Sequence, residues 1–242
     1  MSKAQIHIGT SGWSYDDWYD NFYPIDINSN ELLQFYSRHF STVEINTSFY
    51  HLVKEKTYQN WHKDTPKDFI FSVKASRYIT HIKRLKDPKD SWIKFEKGIR
   101  ALKNKLGVIL FQFPANFKLN RERLANYLKF LPAKYKYTFE FRHESWFNDE
   151  VYEILNKYNV ALCLASTPDY PLAEKITADF TYIRLHGTKE LYKSKYSEQE
   201  LKKWADKIKN WQKQGIEVYC YFDNDYEAHA IDNAKKLIEL VK

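Results

Sequence analysis

The chain has 242 residues, of which 43% are hydrophobic and 29% charged, a composition typical of a soluble globular protein with a sizeable core. It contains only 6 glycines, without a Gly-rich phosphate loop or a GxGxxG motif, which argues against dinucleotide enzymes and P-loop nucleoside triphosphatases. The formal charge of +7 favours anionic partners such as phosphates or nucleic acid, unless it reflects only a lysine-rich surface.

The N-terminal sequence and the cysteines bear on where the protein resides. The start, MSKAQIHIGTSGW, has no apolar run long enough for a signal peptide, and no stretch approaches the roughly 18 apolar residues of a membrane span. Cys163 and Cys220 lie in apolar strand-like runs, where we expect small buried residues and no disulfide. We therefore expect a cytoplasmic protein with no membrane partner, and the oligomeric state stays open.

Short runs rich in Ile, Val, Phe and Tyr recur along the chain, as expected of β-strands. The predicted strands are Gln5–Gly9, Thr42–Thr47, Phe69–Ala75, Gly107–Phe113, Tyr137–Arg142, Ala161–Ala165, Thr181–His186 and Glu217–Asp223. Amphipathic segments between them predict helices at Asn30–His39, Lys54–Lys63, Ser91–Asn104, Arg121–Phe130, Asp149–Tyr158, Glu198–Gln214 and Glu227–Val241. The segment Tyr170–Thr177 is too short and proline-interrupted to predict a helix.

Strands that alternate with helices predict a parallel sheet. Eight strands with almost no spare sequence favour closure as a (β/α)₈ TIM barrel over an open sheet. No Gly/Ser linker, low-complexity tract or internal repeat divides the chain, so we expect a single α/β domain over residues 1–242.

The polar residues within the strands indicate which face points inward. Side chains at i and i+2 share a strand face, so Glu44 and Asn46 lie opposite their apolar neighbours, as do Glu140 and Arg142. Parallel strands covered on both faces normally form continuous apolar runs, and these strands do not. In a barrel, the apolar set would face the helices and the polar set would face the interior.

The charged residues also occur late in each strand, near the C-terminal end at which barrel active sites lie. Seven of them would converge from five strands: Glu44, Lys74, Glu140, Arg142, Arg184, His186 and Asp223. Burying such charges costs several kcal/mol each unless they are paired. We therefore predict a functional site at the C-terminal mouth, with an ion-pair network that only fills the mouth as the alternative.

The residue types suggest chemical roles. The predicted catalytic acids and bases are Glu44, Glu140, His186 and Asp223. Arg142 and Arg184 suit bidentate binding of a phosphate or carboxylate, while Lys74 could clamp the anion or act as a base if burial lowers its pKa. The remaining predicted substrate-binding residues are Trp13, Asn46, His81, Gln112 and Asn224. For Trp13 a packing role in a lid, and for His81 a structural loop role, stay open.

We predict no metal cofactor. Carboxylates and histidine could ligate Mg²⁺, Mn²⁺ or Zn²⁺, which keeps a divalent metal as the alternative. Three cations in the same mouth weaken that alternative, and neither an HExxH motif nor a Cys/His cluster is present.

Several segments, in order, resemble the YecE-like family, known as domain of unknown function 72. They are Gly9-Thr10-Ser11-Gly12-Trp13-Ser14-Tyr15, Val43-Glu44-Ile45-Asn46, Phe71-Ser72-Val73-Lys74, Leu110-Phe111-Gln112-Phe113-Pro114, Glu140-Phe141-Arg142-His143-Glu144-Ser145-Trp146, Tyr182-Ile183-Arg184-Leu185-His186-Gly187 and Tyr221-Phe222-Asp223-Asn224. The resemblance runs from Ile8 to about Leu240 and implies a TIM barrel, without implying a reaction. The family often has a second proline where this chain has Ala115, and paired asparagines where it has Asp223 before Asn224.

Three functions remain in competition. The first is an enzyme, such as a hydrolase, lyase or isomerase, that acts on a small anionic substrate, for example a phosphorylated or acidic sugar. The second is a nucleic-acid-binding protein or metal-dependent nuclease-like barrel, which would need a positive stripe beyond the mouth. The third is a non-catalytic protein that binds a ligand in the barrel pocket.

Overall fold

The computed structural model describes residues 4–169 and 172–242. Its parallel strands are β1 (Ile6–Thr10), β2 (Thr42–Ile45), β3 (Ile70–Lys74), β4 (Leu106–Gln112), β5 (Lys136–Glu140), β6 (Ala161–Ser166), β7 (Phe180–Leu185) and β8 (Glu217–Phe222). All eight predicted strands are confirmed, with ends that shift by one or two residues. Because β2, β5, β7 and β8 end early, Asn46, Arg142, His186 and Asp223 lie just beyond their strands.

The helices are α1 (Leu32–Ser37), α2 (Thr47–Tyr50), α3 (Glu55–Lys63), α4 (Pro88–Ile99), α5 (Arg121–Phe130), α6 (Asp149–Lys157), α7 (Glu198–Lys213) and α8 (His229–Val241). Side-chain caps explain several of their starts. Asn120 and Asn148 each accept a hydrogen bond from the third residue of the following helix, and Ser197 with Glu200 forms a capping box. A π-helix, Tyr78–Lys83, follows β3.

The strands form one sheet in the order β1-β8-β7-β6-β5-β4-β3-β2, and a contact between Ser11 and Glu44 joins its two ends. Gly9 makes this closure possible, because a Cβ atom at that position would lie 2.2 Å from the Thr42 carbonyl oxygen. The Tyr36 hydroxyl bridges the same gap: it donates to the Thr42 carbonyl at 3.1 Å and accepts from the Thr10 amide at 3.0 Å. The sheet is therefore a nearly closed (β/α)₈ barrel in a single domain, as predicted.

The connection from β6 to β7 departs from the regular alternation. Its described residues, 167–169 and 172–179, form no helix, and Tyr170 and Pro171 of the predicted non-helical segment lie outside the described residues. Thr177 replaces helix packing with hydrogen bonds here: its hydroxyl donates to the Val160 carbonyl and accepts from the Leu162 amide. The connection is thereby pinned beside β6.

Apolar side chains form two clusters that the barrel wall separates. The larger one packs strand residues such as Val43, Phe139 and Ile183 against the helices, and the smaller one fills the interior with residues such as Leu110 and Cys163. The outward positions are apolar, as predicted, whereas Leu110 and Cys163 show that apolar side chains also occupy part of the interior. Both cysteines are buried and free, as expected. Within the described part of the chain, no helix is long and apolar enough to cross a membrane.

Candidate active site at the C-terminal mouth

Arg184 stands at the centre of a buried ionic cluster at the C-terminal ends of the strands. Its Nε and Nη2 atoms donate to Glu44 at 3.0 and 2.8 Å, its Nη1 atom donates to Glu140 at 2.9 Å, and its Nη2 atom also reaches Asp223 at 2.9 Å. The Ser11 hydroxyl lies 3.1 Å from the same Nη2 atom. The Arg184 side chain is 1% exposed. One guanidinium therefore binds three carboxylates from β2, β5 and the end of β8.

Further donors fix the carboxylate of Glu44. The Ser11 hydroxyl donates to its Oε1 atom at 2.6 Å, and the Tyr182 hydroxyl donates to its Oε2 atom at 2.7 Å. The amide of Asn46 in turn donates to Ser11 Oγ. Glu44 thus accepts hydrogen bonds at both oxygens while it is fully buried, which is the condition for holding a carboxylate away from water.

Two side chains extend the cluster toward the mouth. Arg142 donates from Nε to Glu140 Oε1 at 2.8 Å, and its side chain is 15% exposed. The Nδ1 atom of His186 lies 2.8 Å from Asp223 Oδ2, at ion-pair distance but off the line of a hydrogen bond. Its Nε2 atom lies 3.3 Å from Arg184 Nη1. Because a guanidinium can only donate, Nε2 is the acceptor in that contact.

Neighbouring cations keep the buried side chains of Glu140 and Asp223 ionised. Burial alone would raise the pKa of Glu140, but Arg142 and Arg184 lower it well below its ordinary value. Burial opposes ionisation of Asp223 as well, and Arg184 and His186 hold its pKa well below the ordinary range. Both side chains are therefore carboxylates across the physiological pH range, and neither is a proton donor.

Lys74, at the end of β3, differs from the two arginines. It is 9% exposed, and none of the described residues forms an ion pair with its Nζ atom, which lies 4.5 Å from the centre of the Phe49 ring. Burial and the positive charge of Arg184 lower its pKa to about 8, against the opposing effect of the carboxylates. The amine therefore exchanges its proton near neutral pH.

His81 lies beside Lys74 on the π-helix. Its ring packs edge-on to Phe49 at 5.1 Å, and its Nδ1 atom is 2.9 Å from the Thr80 hydroxyl. Burial and the charge of Lys74 lower its pKa to about 4, so the ring is neutral near pH 7. Two left-handed residues follow, Arg84 and Leu85 with φ of 46° and 66°. π-Turns and strained backbone of this kind recur at functional sites.

Four polar atoms in this region are buried without a hydrogen-bond partner: Asn46 Oδ1, His186 Nδ1, Asn224 Oδ1 and Asp225 Oδ1. Orphaned polar atoms are rare in folded proteins because each carries a desolvation penalty of about 1–3 kcal/mol. These atoms belong to residues that follow β2, β7 and β8, at the C-terminal ends of the strands.

The structure brings most of the predicted site residues together and places three apart from the ionic cluster. The Gln112 amide donates to the Phe113 carbonyl, and the Trp13 ring packs edge-on to Trp61 of α3. Asn224 turns toward α8, where its amide donates to Asn233 Oδ1 and to the Ser194 carbonyl. None of these contacts reaches Arg184, so the three residues border the mouth or support its loops.

Sequence reasoning missed two residues beside the cluster. Tyr192 adopts a left-handed φ of 65°, packs edge-on to His186 at 5.6 Å and lies near Arg142. Asp225 is half-buried beside Asp223 and Tyr15, and desolvation of its carboxyl together with the charge of Asp223 raises its pKa well above the ordinary value. The mixed Lys/Tyr loop after β7 was a signal for Tyr192. Asp225 lies beyond the end of β8, outside the strand alternation, and no sequence signal pointed to it.

Three carboxylates around one point would also suit a divalent cation. Here the Arg184 guanidinium stands between them and binds an oxygen of each. Among residues 4–169 and 172–242, no group of three His, Cys, Asp or Glu side chains is arranged to hold a metal ion.

The family described as "Protein of unknown function DUF72" matches residues 7–242. The chain belongs to the DUF72 family. This confirms the resemblance noted in the motifs. Two UPF0759 proteins are similar to this DUF72 chain: YunF of Bacillus subtilis (strain 168) is 30% identical over 98% of this chain and 94% of its own length. YecE of Escherichia coli (strain K12) is 32% identical over 59% of this chain and 50% of its own.

Solved DUF72 structures share the fold. A DUF72 family protein from Thermotoga maritima MSB8 superposes with a TM-score of 0.87 at 30% identity, over 98% of this chain and 99% of that one. A second, from Enterococcus faecalis V583, gives a TM-score of 0.81 at 19% identity over 98% and 95% of the two chains. The second likeness shows the fold alone.

Proposed function

We propose that this DUF72 protein is an enzyme that acts on a small anionic substrate, such as a phosphorylated or acidic sugar, at the C-terminal mouth of its barrel. One observation supports this above the others: Arg142 and Lys74, which are 15% and 9% exposed, are the least enclosed cations of the buried ionic cluster. A network that served only to fill the barrel would not need a buried lysine without an ion pair, because an apolar side chain would cost less there.

In this proposal Arg184 positions the other groups and does not bind substrate. All its nitrogen atoms already contact protein, through Glu44, Glu140, Asp223, Ser11 and His186. We assign the binding of a phosphate or carboxylate to the planar guanidinium of Arg142, whose side chain is 15% exposed. In its protonated form, Lys74 adds a second positive charge that interacts with Glu140.

The pKa shifts redistribute the acid–base roles. Glu140 and Asp223 are held ionised, so they stabilise positive charge and orient Arg142 and His186. Lys74, whose pKa is lowered to about 8, is the group that can accept a proton near neutrality. The proposal includes no metal cofactor, because a metal at the three carboxylates would have to displace Arg184 from its hydrogen bonds.

A thermal-shift screen tests the proposal. We expect phosphorylated or acidic sugars to raise the melting temperature with and without chelator, because a ligand that binds only the native state stabilises it. The shift should disappear in Lys74→Met, which removes a charge that no ion pair holds, and persist in Arg121→Met, an exposed control.

Two results would contradict the proposal. The first is a shift of equal size in Lys74→Met. The second is stabilisation by oligonucleotides alone, which falls steeply with added salt and would favour a nucleic-acid partner.

A further inference from the structure

Two buried lysines of this chain show how unusual Lys74 is. Lys105 is 4% exposed, and its Nζ atom donates to the carbonyl oxygens of His62 and Thr65 and to the Thr65 hydroxyl, at 2.6 to 3.0 Å. These three acceptors use the three donors of an ammonium group. Lys74 is buried to a similar extent, yet no described residue accepts a hydrogen bond from its Nζ atom.

The carboxylates that could pair with Lys74 are committed elsewhere. Glu44, Glu140 and Asp223 all bind Arg184, and Glu140 also binds Arg142. On its other side, Lys74 faces the ring of Phe49, and beyond that ring lies the uncharged His81. The ammonium form therefore gains attraction from an aromatic face and from distant carboxylates, but no direct contact with a negative oxygen.

The backbone holds this lysine in one place. Lys74 is the last residue of β3, and its carbonyl accepts a hydrogen bond from the Ser48 hydroxyl at 2.6 Å. The next residue, Ala75, donates to the Leu110 carbonyl of β4. A rigid strand end thus presents the amine at the mouth, in the position from which barrel side chains act on substrates.

An amine that is desolvated beside another cation is activated as a nucleophile, because its neutral form becomes accessible near neutral pH. With its pKa near 8, about a tenth of Lys74 is neutral at pH 7, far more than of an ordinary lysine. General-base chemistry would use the same lone pair. The substrates proposed above contain a carbonyl group with which such an amine can react, since acidic and phosphorylated sugars present one in their open-chain forms.

We propose that the Nζ atom of Lys74 forms an imine with the carbonyl carbon of a small anionic aldehyde or ketone, an inference that rests on the proposed function. The amine lone pair forms the C–N bond, and the carbonyl oxygen leaves as water with both amine hydrogens. The imine then takes one proton from solvent and becomes an iminium ion. No oxidant, reductant or metal is needed for this balance. Arg142 binds the anionic group of the same molecule.

Borohydride trapping tests the imine directly. The protein is incubated with pyruvate, glyoxylate or dihydroxyacetone phosphate, reduced with sodium borohydride, and analysed by intact mass and peptide mapping. Hydride adds to the imine carbon, so each trapped molecule leaves a secondary amine of defined mass. We expect on the order of tenfold more adduct at Lys74 than at any other lysine. Labelling should rise with pH to a plateau above about 8.

The controls use the rest of the chain. Lys105 is the internal control for a buried but hydrogen-bonded lysine and should stay unmodified. Lys74→Met should lose the adduct while its melting temperature shows that it folds. Adducts spread over exposed lysines, or an adduct that survives in Lys74→Met, would overturn the imine.

Thermal shifts in the same samples separate the two proposals. If a carbonyl anion raises the melting temperature of the wild type, and not of Lys74→Met, yet borohydride traps nothing, the anion site stands and the imine is wrong. If none of the three compounds binds or is trapped, and the sugars of the earlier screen also fail, both proposals are overturned.

Discussion

The barrel carries paired charges at both ends of its axis, and the two groups are built differently. At the N-terminal end, Glu217 is the centre: it accepts from Lys136, from His7 at 3.2 Å and from Tyr219 at 2.9 Å. At the C-terminal end the centre is a cation, Arg184, which binds three carboxylates. Glu217 and Lys136 are 21% and 40% exposed, whereas the C-terminal centre is fully enclosed.

The two groups differ in whether any of their polar or charged side chains lack a partner. In the N-terminal group His7, Lys136 and Tyr219 all contact Glu217, which is the arrangement expected of a stabilising cluster. The C-terminal group leaves Lys74 without an ion pair and leaves polar atoms of Asn46 and His186 without hydrogen bonds. Incomplete pairing in a buried place costs stability, and such a cost is typical of functional sites.

Cavity volume alone would point to the other end. A cavity of about 590 Å³ opens near the starts of β1 and β3, bordered by Ile6, Phe69, Gln212 and Val241. Its lining contains none of the buried ionic residues. We propose the C-terminal mouth as the site because of the chemistry of its residues and not because of a cavity volume.

The largest effect should come from the C-terminal centre. Arg184→Met leaves three buried carboxylates without their common partner, so we expect the free energy of unfolding to fall by about 3–5 kcal/mol, or the protein to fail to fold. Urea unfolding at pH 7 measures the loss. A loss below about 1 kcal/mol would show that the cluster is not the organising centre of the mouth.

Lys74→Met should change the pH dependence of the unfolding free energy, because the variant lacks the buried amine. The folded-state pKa of about 8 lies below the ordinary 10.5, so the folded protein binds fewer protons between these values and the wild type gains stability as pH rises through them. The difference in unfolding free energy, wild type minus variant, should rise by about 3 kcal/mol from pH 8 to 10.5. A flat difference would mean that Lys74 is not desolvated.

Glu217→Gln tests the N-terminal group, in which the charged form of the central residue stabilises the fold, whereas the charged form of Lys74 destabilises it. Burial opposes ionisation of Glu217, but His7 and Lys136 lower its pKa from 4.5 to about 2. Its stabilisation is present above pH 4.5 and is lost as pH falls toward 2. We expect a loss of about 2 kcal/mol at pH 7, reduced by solvent screening of Lys136. Denaturant unfolding from pH 7 to 3 should show the loss shrinking, and ligand-induced thermal shifts should not change.

The smallest effect belongs to an ion pair outside both groups. Arg121 and Glu150 lie at the starts of α5 and α6, 2.6 Å apart and largely exposed. Arg121→Met should change the unfolding free energy by less than about 0.5 kcal/mol. A larger change would mean that an exposed ion pair contributes as much to the unfolding free energy as the charged groups at the barrel ends. The ends would then not be distinguished from the surface by their stability.

Much of the fold could be predicted because its signals are local. Strand propensity and the two-residue alternation of Glu44, Glu140 and Arg184 depend only on neighbours in sequence, and these residues do point inward. Helix starts such as Ser197 also follow from adjacent residues. The described residues of the β6–β7 connection are non-helical, as the short, proline-interrupted segment predicted, whereas the hydrogen bonds of Thr177 to Val160 and Leu162 are tertiary contacts that no local pattern encodes.

The sequence by itself determined a barrel with charged residues at the C-terminal ends of its strands, since residue type and period are written along the chain. Only the tertiary structure decided that Arg184 occupies the centre, that Glu140 and Asp223 stay ionised, and that Lys74 is left without an ion pair. Those outcomes depend on strand register across the barrel, which sets the height of each side chain along the axis. Distances between residues 44, 140 and 184 come from that register, and no local pattern encodes them.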